Sequence, residues 1–335
     1  MAEESFADIG RIEAIRRLFE GTPYKSSGKN IFETSGQASV CSFSRMFLEG
    51  IDFNLVYFPL KHLGYKCVTA VTGDVYASFF HPRVLSVRIG LSAKLDFEQT
   101  KELWGGMVSA ASEHGYSDVS LDLMPSRNGL SISVSASGEQ SLLQGKRRPR
   151  PKSKDLICLS GNVGGAFFGM QLLRLAEKTF EQDGTQPDLG KYKMLVGAYL
   201  KPEISPYTVS NMEKDEYVPS AGYLVDRGLS DALKRLSRDT GLGAKIYTDR
   251  IPFEGQSFEV AKKLGIDPVS AAMNGGEDYR LLFTIPILKA ESFRRDFQTF
   301  DIIGHLAMPD AGTVLVTPDG AELPLKAQGW PEEEQ

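Results

Sequence analysis

Cysteine is scarce in this sequence: three in 335 residues, at positions 41, 67 and 158. They lie far apart in apolar segments, without metal-type spacing. Neither a disulfide framework nor a thiolate metal centre is expected, and reduced, buried thiols are expected instead. Long apolar runs are missing too; none reaches the length of a membrane-spanning helix. Net positive charge is missing: the formal charge is −5, so no global basic field points to nucleic acid. The opening Met1-Ala2-Glu3-Glu4-Ser5 is acidic and lacks the basic-then-apolar order of a signal peptide. A cytoplasmic protein without a membrane or nucleic-acid partner is expected. No internal repeat is visible. The turn Gly161-Asn162-Val163-Gly164-Gly165 lacks the spacing and the lysine of a P-loop.

What is present is ordinary globular composition, 41% hydrophobic and 24% charged, with length enough for two domains. Ile9, Ile12, Ile15, Leu18 and Phe19 recur at helical spacing and predict a helix over 8–20. Residues 21–37 read as a loop and 38–48 as a strand. A long helix is predicted over 61–80. Asp96, with Gln99 as capping-box partner, predicts another running to about His114. Strands are predicted at 84–91, 117–123 and 130–137. The segment 145–154 carries six basic residues and two prolines with nothing apolar. It reads as an exposed linker, so the expected division is 1–145, 146–154 and 155–335. Beyond it, helices are predicted at 166–180, 228–240, 257–265 and 287–296. Strands are predicted at 155–159, 220–226, 243–248, 278–285, 300–306 and 313–317. The alternation lacks clean βαβ regularity, which argues an α+β fold.

The most informative stretch is Met273 to Pro286. Gly275 and Gly276 let the backbone turn where a Cβ would clash. Leu281, Leu282, Phe283 and Ile285 read as a core strand. Glu277 and Asp278 then stand at a strand entrance, either as a rigidly held functional pair or as a solvated acidic turn. The Gly-rich turn before the helix starting near Ala166 suits an anion, which makes Gly164 a candidate phosphate contact.

G-G-E-D-Y-R-L-L-F-T at 275–284 resembles a signature of bacterial thiamine-monophosphate kinase (ThiL). So do E-G-I-D-F-N-L-V-Y-F-P-L-K-H-L-G-Y-K at 49–66, L-K-P-E at 200–203, T-G-L-G-A-K-I-Y-T-D-R-I-P at 240–252 and L-K-A-Q-G-W at 325–330. The pieces keep the family's order over nearly the whole chain. The family sits in the aminoimidazole ribonucleotide synthetase-like (PurM-like) superfamily, whose members use ATP. The resemblance implies a two-domain α+β fold with a C-terminal α/β sandwich. It also implies a homodimer in which N-terminal strands of both chains form a barrel. The implied activity is ATP-dependent conversion of thiamine monophosphate to thiamine diphosphate, with Mg2+ held by aspartates.

The departures from the family pattern fall on those aspartates. Gln37 and Ala38 replace two carboxylates, Arg45 replaces one, and Gly165, Leu224 and Arg227 replace three more. Asp74 and Asp122 persist, and Asp226 is new. By the resemblance, Asp74, Asp122 and Asp226 are the candidate catalytic residues, with Asp74 and Asp122 as residual metal ligands. Arg45, Arg147, Arg227 and Gly164 are the candidate nucleotide or phosphate contacts, with Arg148 beside Arg147 as an equivalent choice. Asp52, Phe53, Glu277 and Trp330 are the candidate substrate contacts; Phe53 and Trp330 could stack on the thiamine heterocycle. Asp74 and Asp122 are expected to be buried and paired with backbone, Arg45 or Arg227, or else to see a metal. Two functions stay open: a kinase on a small phosphorylated substrate, or a catalytically impaired relative that binds a nucleotide or phosphate ligand or regulates a partner.

Overall fold

In Ser131–Gln140 (β5) serines alternate with Ile132, Val134 and Ala136, and burial follows the same period of two. One side of the strand is sealed and the other, bearing the serines, is partly open. The computed structural model describes residues 11–20, 22, 31–33, 39–140, 148–185 and 187–330. Within them β5 is the middle of a five-stranded sheet. Its partners are β1 (Ile31–Glu33), β2 (Ser39–Leu48), β3 (Phe80–Ser92) and β4 (Asp118–Ser126), in the order β1-β2-β5-β3-β4. Only β3 and β4 run parallel. The apolar face is covered by α2 (Leu60–Ala77), on which α3 (Phe97–Glu113) packs; α1 (Arg11–Phe19) precedes the sheet. The capping box forms: the Gln99 amide N–H donates to Asp96 Oδ1 at 2.8 Å, and the Asp96 N–H donates to Gln99 Oε1 at 3.0 Å. α2 and α3 approach backbone to backbone. A Cβ at Gly64 would lie 2.1 Å from the Leu103 carbonyl oxygen.

The second sheet has seven strands: β6 (Leu156–Leu159), β7 (Ala221–Val225), β8 (Gly243–Tyr247), β9 (Arg280–Ile285), β10 (Asp301–Ala307), β11 (Thr313–Val316) and β12 (Glu322–Pro324). Their order is β12-β11-β8-β10-β6-β9-β7. Helices α4 (Gly165–Asp183), α5 (Lys193–Leu200), α6 (Thr208–Lys214), α7 (Leu229–Thr240), α8 (Ser257–Leu264), α9 (Pro268–Asn274) and α10 (Ala290–Asp296) complete this half.

The two sheets share α2. It is buried nearly all round from Leu63 to Ala77, because β7 and β9 pack on the side away from the first sheet. A Cβ at Gly222 would meet the Ala77 carbonyl oxygen at 2.1 Å, so only glycine lets β7 come this close. One apolar cluster therefore runs from Cys41 and Val134 through Val71 and Val75 to Leu224 and Phe283. The described part of the linker is less exposed than its charge predicts. Arg148 is half-buried, and its guanidinium donates to the carbonyls of Ser78 (3.5 Å) and Ser220 (3.4 Å), at the end of α2 and the start of β7. The short elements β1, β12, α5, α6 and α9 were not anticipated. The remaining predicted elements occur, with ends moved by a few residues.

Candidate functional site

Arg45 on β2 projects from the covered face of the first sheet toward Asp74, in the last turns of α2. Its Nε and Nη2 lie 2.9 and 2.7 Å from Asp74 Oδ2, and Nη1 lies 2.7 Å from Oδ2 of Asp226, just beyond β7. The other Asp226 oxygen is held by Arg235 Nη2 of α7 at 3.1 Å, and the same nitrogen donates to the Leu224 carbonyl at 2.7 Å. Arg235 Nε continues to Asp231 at 2.9 Å, and the Trp330 indole N–H donates to the second Asp231 oxygen at 2.9 Å. Five ionic side chains and one indole thus form a single line across both sheets. Asp226 is only 8% exposed and Asp231 only 3%. Burial opposes ionisation of both Asp226 and Asp74. At Asp226, Arg45 and Arg235 outweigh it and hold the carboxyl well below the usual range. At Asp74 burial, with the charge of Asp226, outweighs Arg45 and the more distant Arg235, so it is raised.

The loop bearing Asp226 is shaped by its neighbour at 273–279. Gly228 has φ +88° and passes so close that a Cβ would lie 2.3 Å from the Met273 carbonyl oxygen. The Glu277 amide donates to the Asp226 carbonyl at 2.6 Å. Glu277 and Tyr279 themselves take positive φ, 62° and 49°, a strain that clusters at functional loops. The acidic pair of this loop is divided. Asp278 is buried and caps α4: its carboxylate accepts from the amides of Gly164 (2.8 Å) and Ala166 (3.2 Å). Burial pushes it up to about 6, against those two amides. The helix N-terminus that suggested a phosphate site is therefore filled by an internal carboxylate, and the Gly164 amide hydrogen is spoken for.

Glu277 turns the other way, to Lys66 Nζ at 3.1 Å. Lys66 is 2% exposed on α2, with its ammonium 3.8 Å from the Tyr199 ring centroid and 5.1 Å from that of Phe58. Beyond Tyr199 opens a cavity of about 320 Å3, lined by Gly50, Ile51, Phe53, Asn54, Tyr57, Arg174, Glu177, Lys178 and Tyr199. Asn54 closes one wall by donating to Glu177 Oε1 at 2.8 Å.

Of the sequence candidates, Arg45, Asp74 and Asp226 come together, and Arg227 stands at their edge, 53% exposed, with its Nε 4.0 Å from Asp226. Asp122 does not join them. It was expected to be buried and paired; β4 instead is exposed along both faces because it is a sheet edge, and Asp122 lies in register with Arg88. Among the substrate candidates, Phe53 lines the cavity and Glu277 sits behind it. Asp52 accepts from the Leu48 amide at 2.7 Å and shapes a turn. Trp330 is fixed on α7, with Arg238 5.4 Å from its ring, so it does not share a ring-stacking slot with Phe53. Arg147, Gln37 and Ala38 lie outside the described residues. Sequence reasoning missed Lys66, Tyr57, Arg174, Glu177, Lys178, Tyr199, Asp231 and Arg235. A lysine in the apolar run Leu63–Val71 was a usable signal for Lys66; Arg235 had none.

Among the described residues no group of three or more His, Cys, Asp or Glu side chains is placed to hold a metal ion. The carboxylates that remain at the centre face guanidinium groups, so the residues present do not fit a Mg2+ site. Cys41, Cys67 and Cys158 are separate and buried. No described helix is long and apolar enough to cross a membrane.

No protein-family model matches the chain. It is similar to the thiamine-monophosphate kinase of Aquifex aeolicus, 23% identical over 291 residues that cover 85% of this chain and 88% of that one. The enzyme of the same name from Bacillus subtilis is 21% identical over 287 residues, covering 84% and 85%. A solved structure described as AaThiL complexed with AMPPCP and TMP superposes with a TM-score of 0.79 at 21% identity, over 99% of this chain and all of the other. These likenesses, in sequence and in fold, agree with the ordered motifs around Glu49–Lys66 and Gly275–Thr284: the chain is similar over most of its length to thiamine-monophosphate kinases and has the α+β, PurM-like fold of the solved relative.

Proposed function

We propose that this chain is a catalytically impaired member of the thiamine-monophosphate kinase family, which binds a phosphate-bearing small molecule and transfers phosphate from ATP slowly or not at all. The observation that carries the reading is Arg45, which spans Asp74 and Asp226 at 2.7 Å on each side. Phosphoryl transfer needs metal ions that neutralise charge on the phosphates. A guanidinium bonded to both carboxylates takes the place such an ion would need and repels it. ATP and Mg2+ remain the family expectation, and AMPPCP is named with the solved relative, not with this chain. The assay is ADP release from Mg2+-ATP with thiamine monophosphate. Turnover within about tenfold of ordinary enzymes, near 1–10³ per second, overturns the proposal. The rival reading, a working kinase, draws on Arg227, whose exposed guanidinium is free to meet a phosphate.

The same reading takes the chain as two domains, 1–145 and 155–335, joined by 146–154 and paired as a homodimer through the first sheet. In support, Val119, Leu121, Leu123 and Met124 on the edge strand β4 are each at least 40% exposed. The partly open face carries the row Ser44, Ser135, Ser86 and Ser120, with hydroxyl contacts of 2.7 Å between the first two and 3.0 Å between the last two. An edge strand this long and apolar calls for a cover. Light scattering after gel filtration is expected to give twice the chain mass of 36.8 kDa; a monomer at micromolar concentration sinks the dimer.

A further inference from the structure

The cavity at Phe53 has a charge pattern of its own. Its walls are the rings of Phe53, Tyr57 and Tyr199, and its rim carries Arg174 and Lys178 from α4. Among the described residues neither cation has an ion-pair partner, whereas Lys66 behind them is paired with Glu277. Among the described residues, one carboxylate of the lining carries charge toward the cavity: Glu177, which accepts only from the neutral Asn54 amide; the Asn54 carbonyl oxygen accepts from the Val56 amide at 2.9 Å. The Asp52 carboxylate is turned to the Leu48 amide, and Glu277 to Lys66. The π-face that would attract a cationic ring is used as well, since the Lys66 ammonium lies 3.8 Å from the Tyr199 centroid. A positively charged heterocycle entering here would meet Arg174 and Lys178 against the single carboxylate of Glu177, with the Lys66 charge balanced by Glu277.

We infer that this cavity takes an uncharged aromatic ring carrying a phosphate or carboxylate, with Arg174 and Lys178 as the specificity-determining residues that hold the anion. The ring packs against Phe53 and Tyr57, and the anion sits at the rim, where a guanidinium can engage two oxygens at once. A volume of about 320 Å3 holds one ring with one small anionic group. This inference rests on the reading above that the chain binds a small phosphate-bearing molecule here, and its test separates the two.

Calorimetric titration of the full chain uses phenyl phosphate and thiamine as probes, against wild type, R174Q/K178Q and I51W. Ile51 lines the rim and is 74% exposed, so a tryptophan there blocks the cavity without disturbing the core. Phenyl phosphate is expected to bind wild type more tightly than thiamine does, to be lost in I51W, and to weaken roughly tenfold or more in R174Q/K178Q. If thiamine binds more tightly, is lost in I51W and is unaffected by R174Q/K178Q, the inference about charge fails while the pocket stands. If neither probe binds, or binding ignores I51W, the pocket reading fails and the inference with it.

Discussion

Two regions of this molecule, both placed where the halves meet, have opposite chemistry. Along the line from Asp74 to Asp231 every carboxylate has a guanidinium and every guanidinium has an oxygen, and the charge left to offer a ligand is that of Arg227 at its edge. At Phe53 a cavity stays open beside the half-buried Tyr57, and two cations stay free. The contrast teaches that a charge-neutralised centre and an open cavity can share one scaffold. Buried carboxylates without a cation are costly, and arginine relieves that cost from within the chain. A cavity lined by aromatic rings costs much less to keep, because its free charges stay in water.

The sharpest way to break the comparison is R45A. It removes the one group shared by Asp74 and Asp226 and leaves two buried carboxylates facing each other. Breaking a buried ion pair on one side costs about 3–5 kcal/mol. Urea unfolding is expected to show that loss, and a change below ~1 kcal/mol would mean that the line of charges is not a structural replacement at all.

A second test compares the two acidic loops by pH. Asp278 is raised to about 6 in the folded protein, from burial. The folded state therefore keeps a proton that the unfolded chain has released between about pH 4 and 6, so stability falls as pH rises through that window. The drop is on the order of 2–3 kcal/mol, by the free energy of each pKa unit. D278N cannot titrate, and its contribution to that slope is expected to vanish. Asp226 has the opposite sign: its folded value is depressed, so the stability it lends is present above the ordinary carboxylate range and is lost as pH falls. If wild type and D278N have the same slope between pH 4 and 7, Asp278 is not the buried group that sets it.

Much of the fold was legible in the residues, and less of the site. Alternation in 131–140 and the Asp96–Gln99 pair fixed a strand and a helix start because both signals are local. The glycines at 275 and 276 marked the turn that aims Glu277 and Asp278, and the arginines at 45 and 227 marked the place where the charges meet. What stayed hidden was direction. Nothing in G-G-E-D says that Asp278 will turn back to cap α4 while Glu277 reaches Lys66, since that depends on helices more than a hundred residues away. Asp122 was misplaced for a related reason. A strand of alternating apolar residues looks the same at a sheet edge as in a core until its neighbours are known.

The smallest expected effect is the most discriminating. Lys66 and Arg45 are both buried cations paired with carboxylates, yet their partners differ in access to water. Asp226 is 8% exposed, whereas the Glu277 side chain is 26% exposed. In K66M the methionine fills nearly the same space among Phe58, Tyr199 and Tyr279, and Glu277 can turn to solvent. The net change is expected to stay within about 1 kcal/mol, because an apolar residue of similar volume often replaces a buried charge at no loss. E277Q works in the other direction: it leaves the Lys66 ammonium in a nearly dry ring of aromatics with a neutral amide oxygen and π-faces in place of a carboxylate, and should cost more than K66M. Burial already pulls the Lys66 ammonium below its ordinary range, and losing Glu277 pulls it further, so the E277Q penalty should shrink as pH rises and Lys66 can fold neutral. Equal losses in K66M and E277Q, independent of pH, would mean that Lys66 is held by packing and that the two regions differ in exposure alone.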